Sequence, residues 1–420
     1  MIIKPLQFQK HLVPLMWILT FKFLYWATLL VSLKSYGNYN EFSILYWPQS
    51  MHKEFFSHFI PYDGCFYLSI SESGYHTGTR DCAFYPLWPG LLKLASITSG
   101  GHSLAAGLIL ANALSTLAWL LLYNFVLKRW GPKVGKWALI FLIAYPGSLF
   151  CQFLYSESLF LFLILVLWWG LERESFALAF WAALLLPITR PVGVFCIIPI
   201  FYHLMNVIPP QWLKKWTNLH TLFVPPDVLA KRETDAGIGS DRSALSDQKA
   251  APRQAPRWQW ALLLAPLLGW VCYLAFMFYT TGNPFEGFAA QRFWGVNSVS
   301  NLINIPKFVV AWFSPSTLHG YRGSLLDRSM FTMLVYCIPV LWRLDKRLIV
   351  WLYVLGILPT MSATFTSATR YLSMAVPLFI ALAHFSQPLQ WRPWRYTLLA
   401  AFIVIHACLV WRYVNFQWAG

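Results

Sequence analysis

Charge is what this sequence has least of. Only 11% of its 420 residues are Asp, Glu, Lys or Arg, where a soluble domain carries about a quarter. That shortage excludes a water-soluble globular enzyme. Acids are scarcer than bases, 16 against 32. No Walker loop and no dinucleotide-type glycine motif occurs, so neither a nucleotide site nor a cofactor is expected. His52, His58 and His76 share a segment with Asp63, Glu72 and Asp81, but none has the tight spacing of a zinc or EF-hand site, and no metal is expected.

What is present is apolar and aromatic. Hydrophobic residues make up 58% and aromatic ones 18%, including 23 Trp, with a mean hydropathy of +0.51. High apolar content without a short repeat excludes a disordered or fibrous chain. Abundant Trp and Tyr fit belts at two water–lipid boundaries. The expectation is an all-α, polytopic integral membrane protein. Eleven spans are placed near residues 12–33, 103–127, 137–154, 156–171, 176–189, 192–208, 259–279, 326–342, 348–364, 371–386 and 396–413, each an apolar run ended by charge, Pro or a polar turn. Several fall short of a ~20-residue crossing, so flanking turns must count as helix. Residues 84–98 and 302–314 read as interfacial helices, in the first outer loop and a late one. Leu12–Leu33 is too long for a signal-peptide core and lacks a small-residue cleavage site, so it reads as a first span starting inside.

Charge fixes the sides. With the N-terminus inside, the inner segments carry 20 Lys and Arg and the outer ones 11, with Lys22 within the first span; the acids split evenly. That excess obeys the positive-inside rule, which also explains the net charge of +16 without nucleic acid. Residues 1–208 form one membrane half, with a long first outer loop at 34–101, and residues 259–420 the other. Between them lies 209–258, whose residues 225–257 are rich in Ala, Asp, Ser, Arg, Pro and Gly with few large apolar residues. It reads as a disordered cytoplasmic linker. Cys65 and Cys82 alone fall in outer loops, where an oxidising compartment would let them join.

Ionisable groups at span ends carry the chemistry if anything does. The first outer loop contains Tyr62-Asp63-Gly64-Cys65-Phe66-Tyr67 and Ala83-Phe84-Tyr85-Pro86-Leu87-Trp88-Pro89. Asp63 precedes an amphipathic run, so a helix N-cap competes with a catalytic role. Glu157, Arg190, Arg292 and Arg370 fall at the same face. Singly, Glu157 reads as a cap and each Arg as a snorkelling anchor. Jointly they suit transfer from a lipid phosphate to a hydroxyl. A carboxylate accepts the hydroxyl proton, guanidinium groups pair with phosphate oxygens, and apolar helices take the lipid tail.

The order Tyr-Asp-Gly-x-x-Tyr-x-x-Ile-x-x-x-Gly-Tyr, then Ala-Phe-Tyr-Pro-Leu-Trp-Pro, resembles the signature of GPI mannosyltransferase II-like (PIG-V-like) proteins in the GT-C superfamily. The likeness continues through Tyr155-Ser156-Glu157-Ser158, Arg190 with Gly193, Gly282-Asn283-Pro284-Phe285 to Gln291-Arg292-Phe293-Trp294, and Arg370-Tyr371 with Pro377-Leu378-Phe379. It implies a GT-C-like bundle, a polyprenyl- or dolichyl-phosphate sugar donor, mannose as the sugar, a lipid, glycan or protein hydroxyl acceptor on the non-cytoplasmic face, and inversion. By the same resemblance Asp63 is the base or acceptor-orienting residue. Arg190, Arg292 and Arg370 contact the donor phosphate, and Glu157 holds the first outer loop or binds sugar. Gln291, Trp294 and Tyr371 join the substrate-binding set. Tyr62 stands where the family usually has Trp.

A flippase or transporter of a lipid-linked saccharide is the alternative, and a noncatalytic subunit a third reading. No internal repeat of the kind transporters use appears. The membrane is read as the plasma membrane, or the endoplasmic reticulum in a eukaryote. An impermeant thiol reagent outside intact cells should modify Glu72→Cys and leave Ser240→Cys unmodified; the reverse pattern would invert the topology.

Overall fold

The computed structural model describes residues 5–36, 55–207, 257–295, 300–321 and 323–420. The linker expected at 209–258 lies outside these residues except for its last two, and so do His52 and positions 37–54 of the first outer loop. Among the described residues the chain is helical and contains no strand.

The first half runs α1 (Pro5–Tyr36), α2 (Asp63–Ser73), α3 (Leu87–Thr98), α4 (Ser103–Trp130), α5 (Pro132–Ala144), α6 (Glu157–Glu172), α7 (Phe176–Thr189) and α8 (Ile197–Val207). The second runs α9 (Leu264–Thr281), α10 (Ile305–Phe313), α11 (Leu325–Leu344), α12 (Lys346–Leu352), α13 (Ala368–Leu372), α14 (Val376–Phe385) and α15 (Arg392–Val414). Five described helices are long and apolar enough to cross a membrane, at Leu12–Ser35, Ser103–Trp130, Gln259–Thr281, Leu325–Leu344 and Leu389–Val414. The other expected spans are shorter or broken. Span 137–154 is α5 followed by the 3-10 turn Pro146–Cys151, and 348–364 passes through a π-helical turn at Tyr353–Ile357. Span 371–386 begins early as the short α13, breaks, and resumes at α14 with Pro377 in its first turn. That position suits proline, whose missing amide hydrogen costs nothing at a helix start. The two expected interfacial segments are helical, as α3 and α10.

Apolar residues surround several helices rather than striping one side. The buried set, with Trp119, Leu142, Leu165, Leu186, Leu352 and Phe379 among it, forms one core between the helices. Phe23, Ile109, Trp181, Phe278 and Val404 point outward and are exposed, as lipid-facing side chains are. α6 and α7 pack as a hairpin, α9 lies against α7, and α14 against α5.

Polar contacts tie the bundle at three levels. At one end, Arg129 closing α4 and Arg347 of α12 share the carboxylates of Glu172 and Asp345 at 2.7–3.3 Å. At the other end lies the charged cluster described below. Between them, Lys22 of α1 donates to Asn112 at 3.0 Å, Ser115 at 2.8 Å and Gln152 at 2.8 Å, and its ammonium lies 4.5 Å from the Trp119 ring centre. This buried lysine pins α1 to α4. Lys22→Met should lower the unfolding temperature of the detergent-solubilised protein, at a cost of about 1–3 kcal/mol for acceptors left unpaired. An unchanged transition would show that α1 is held by packing alone.

Candidate active site

Four charged groups from separate chain segments meet at one end of the bundle. Asp63 is the first residue of α2, and Tyr62 before it has φ of +59°. Arg370 lies on α13, reached through Thr364, Phe365 and Ser367, all at positive φ. Non-glycine residues in that region cost of order 1 kcal/mol each and persist only where the surroundings impose them. Here those strained residues lead into both Asp63 and Arg370. Arg190 follows α7 in extended conformation, φ −155°, as the residue before Pro191 must. Glu157 opens α6. Gly147 lets the Pro146–Cys151 turn approach α13, since a Cβ there would stand 2.1 Å from the Thr369 carbonyl oxygen.

The groups form a chain of alternating charge. Arg190 Nη1 donates to Glu157 Oε1 at 2.7 Å. The same oxygen accepts from Arg370 Nε, and Arg370 Nη1 donates to Asp63 Oδ2 at 2.5 Å. Exposure rises along it, from 0% for the Glu157 side chain to 21% for Asp63. Asp63 is therefore the acid that reaches solvent, and its Oδ1 has no hydrogen bond among the described residues. The Arg370 guanidinium lies 4.5 Å from the Tyr155 ring centre and 5.0 Å from that of Phe150, and Arg190 lies 5.5 Å from Tyr371. Ring faces hold the cations without neutralising them. Arg190 also donates to Ser156 Oγ at 3.3 Å, which is 3.0 Å from the Tyr67 hydroxyl. Burial holds the Tyr67 phenol above its ordinary range, so it stays protonated.

Asp63, Arg190 and Arg370 open into a cleft of about 160 Å³. Its walls are aromatic. Phe66 and Phe84 stack at 5.0 Å with Trp294 edge-on to both. On the other side Trp418 meets Tyr62 at 5.7 Å and Tyr321 at 4.8 Å. The Tyr321 hydroxyl donates to the Trp294 carbonyl at 3.0 Å, joining the two walls. Such a cleft can take an anion on two guanidinium groups, a polar ring against aromatic faces, and a proton on Asp63.

No family model matches this sequence, and no curated protein matches it. Some solved structures are weakly similar to this chain. One is the archaeal oligosaccharyltransferase AglB from Archaeoglobus fulgidus in complex with an inhibitory peptide and a dolichol-phosphate, at TM-score 0.41 and 13% identity, over 98% of this chain and 56% of that one. Another is the Archaeoglobus fulgidus oligosaccharyltransferase in complex with Zn and sulfate, at TM-score 0.43 and 12% identity, over 95% of this chain and 53% of that one. The chain spans about half the length of these structures.

Of the residues singled out in the sequence, Asp63, Arg190, Gln291, Trp294, Arg370 and Tyr371 line the cleft. Arg292 does not. Its side chain is exposed and stacks 4.9 Å from the neighbouring Phe293 ring, because the 3-10 turn Ala290–Phe293 points it away from Gln291 and Trp294. Glu157 is absent from the cleft wall too; its fully buried carboxylate pairs with both arginines. The cap reading of Asp63 also fails, since its carboxylate goes to Arg370 and α2 has no side-chain cap. Cys65 and Cys82 are not joined. The Cys65 thiol donates to the Tyr62 carbonyl at 2.8 Å and that of Cys82 to the His76 carbonyl at 3.2 Å. Burial and the neighbouring Asp81 push the Cys82 thiol up to about 12. His76 pairs with Asp81 at 2.8 Å and His58 Nδ1 with the Val414 carbonyl, so these two histidines go to different partners.

Sequence reading missed Trp418 and Tyr321. Trp418 follows the last span in a segment with no motif, and is placed by Arg412 Nε donating to its carbonyl at 2.8 Å. Its only signal was a tryptophan just beyond a span end. Glu157→Gln should destabilise the fold by about 3–5 kcal/mol, since two buried guanidinium groups lose their shared anion. A thermal unfolding midpoint equal to wild type would refute this shared-anchor role.

Proposed function

We propose that this chain is an integral membrane glycosyltransferase of the GT-C type. It moves one sugar, mannose by resemblance to the PIG-V-like proteins, from a polyprenyl- or dolichyl-phosphate to a hydroxyl of a lipid, glycan or protein on the non-cytoplasmic face. The observation that carries this reading is Asp63: one carboxylate oxygen is fixed by Arg370, the other has no partner among the described residues and faces a cleft that also holds Arg190.

The step follows from that arrangement. The acceptor hydroxyl donates to Asp63 Oδ1, and its oxygen forms a bond to the anomeric carbon while its proton passes to the carboxylate. The bond from that carbon to the phosphate oxygen breaks, leaving its electron pair on the phosphate. Arg190 and Arg370 stabilise the charge that develops there. One displacement without a covalent intermediate inverts the anomeric carbon. The aromatic walls of the cleft suit the apolar face of a pyranose.

Fixed donors and acceptors matter more here than strong basicity. Asp63 is tethered to a guanidinium, so it orients the hydroxyl as well as accepting its proton. Glu157 acts one step back as a positioning residue that sets both arginines. The purified protein in vesicles, given labelled polyprenyl-phosphate mannose and candidate acceptors, should form a glycosidic bond. Asp63→Asn should lower that rate by about 10²–10⁴-fold while leaving membrane insertion and unfolding temperature unchanged. Full turnover by Asp63→Asn would remove the assignment, and movement of the lipid-linked sugar across the bilayer without bond formation would replace the enzyme with a flippase.

A further inference from the structure

A second cavity lies away from the cleft. It is a groove of about 810 Å³ between α10, α11, α14 and the start of α15, with Trp312, Met333, Tyr336, Leu382, Trp394 and Leu398 on its walls. Only one charged side chain lines it, Arg328 in the first turn of α11.

Arg328 is 91% buried, at 9% exposure. Its Nη1 donates to the Ser314 carbonyl, and its Nε has no partner. No carboxylate among the described residues pairs with it. The adjacent Asp327 is committed elsewhere: its Oδ2 accepts from the Ser324 amide at 3.2 Å and hydroxyl at 2.5 Å, and its Oδ1 from the Thr369 amide at 2.8 Å. A buried cation without an anion is costly. Its place in the first turn of a long helix adds to the cost, because the dipole there is already positive. An anion is the missing element.

We propose that this groove holds one anionic glycerophospholipid, its phosphate on the Arg328 guanidinium and an acyl chain along α11. The dimensions fit. From Arg328 to Val340 is about 18 Å along the helix at 1.5 Å per residue, close to one leaflet of a ~30 Å hydrocarbon core. Arg328 lies at the same end of the bundle as Arg370, through the Asp327–Thr369 hydrogen bond, and so at headgroup level. The occupant is a bulk phospholipid rather than the reacting carrier. A carrier must place its phosphate on Arg190 and Arg370, in a cleft that shares no lining residue with the groove. The choice of a bulk lipid over the carrier rests on the transfer reading; the anion site on Arg328 does not.

The full chain in mild detergent, examined by native mass spectrometry with added dioleoyl-phosphatidylglycerol, dioleoyl-phosphatidylcholine or polyprenyl phosphate, should retain one phosphatidylglycerol in preference to the other two. Arg328→Gln should weaken that retention about tenfold, the loss of charge-assisted hydrogen bonds. Val340→Trp, which keeps the guanidinium and fills the far end of the groove, should weaken it as well. If wild type holds phosphatidylcholine or polyprenyl phosphate equally well, or if Val340→Trp and any folded Arg328→Gln hold phosphatidylglycerol like wild type, the site is overturned.

Discussion

One buried carboxylate oxygen organises this end of the molecule. Glu157 Oε1 accepts from Arg190 and Arg370 together, and those arginines come from separate segments of the chain. Two guanidinium groups in an apolar interior repel each other and lose hydration. A shared anion removes most of that cost, and only if its geometry is fixed. Glu157 has that geometry because it opens α6, with its backbone set by the buried turn before it. Arg370 then has its two terminal nitrogens to reach outward, and Nη1 meets Asp63.

The same constraint accounts for the strain nearby. A regular helix through residues 364–372 would have carried Arg370 elsewhere. The chain instead passes through three left-handed residues and a short helical turn, and Tyr62 does likewise before Asp63. Aromatic packing on both sides of the cleft resists relaxation of these segments. Arg370 is thereby delivered between Tyr155 and Phe150, where ring faces support its charge without using its hydrogen-bond donors.

Two charged clusters close the bundle at opposite ends, and they differ in kind. Arg129, Glu172, Asp345 and Arg347 pair in a partly exposed network, and serve to clamp helix ends. The cluster at Glu157 is buried at its root and open at Asp63. That gradient from buried anchor to accessible carboxylate separates a site from a clamp, and net charge or residue type could not have shown it.

The sequence alone determined the medium and most of the helices, because scarcity of charge and long apolar runs are properties of the chain itself. It also pointed to Asp63 in the first outer loop, and to Arg190 and Arg370, which stand at span ends where ionisable groups are costly. It could not tell Arg292 from Arg190 and Arg370: all three are arginines at similar boundaries, and only the path of a short 3-10 turn sends Arg292 outward. It could not distinguish Glu157 as anchor from Glu157 as ligand, since burial depends on neighbours far away in the chain. Trp418 became a wall of the cleft only when its segment folded back between Tyr62 and Tyr321. Local pattern fixes which segments are helical; which side chains share a cavity depends on contacts between residues hundreds of positions apart, and these exist only in the folded bundle.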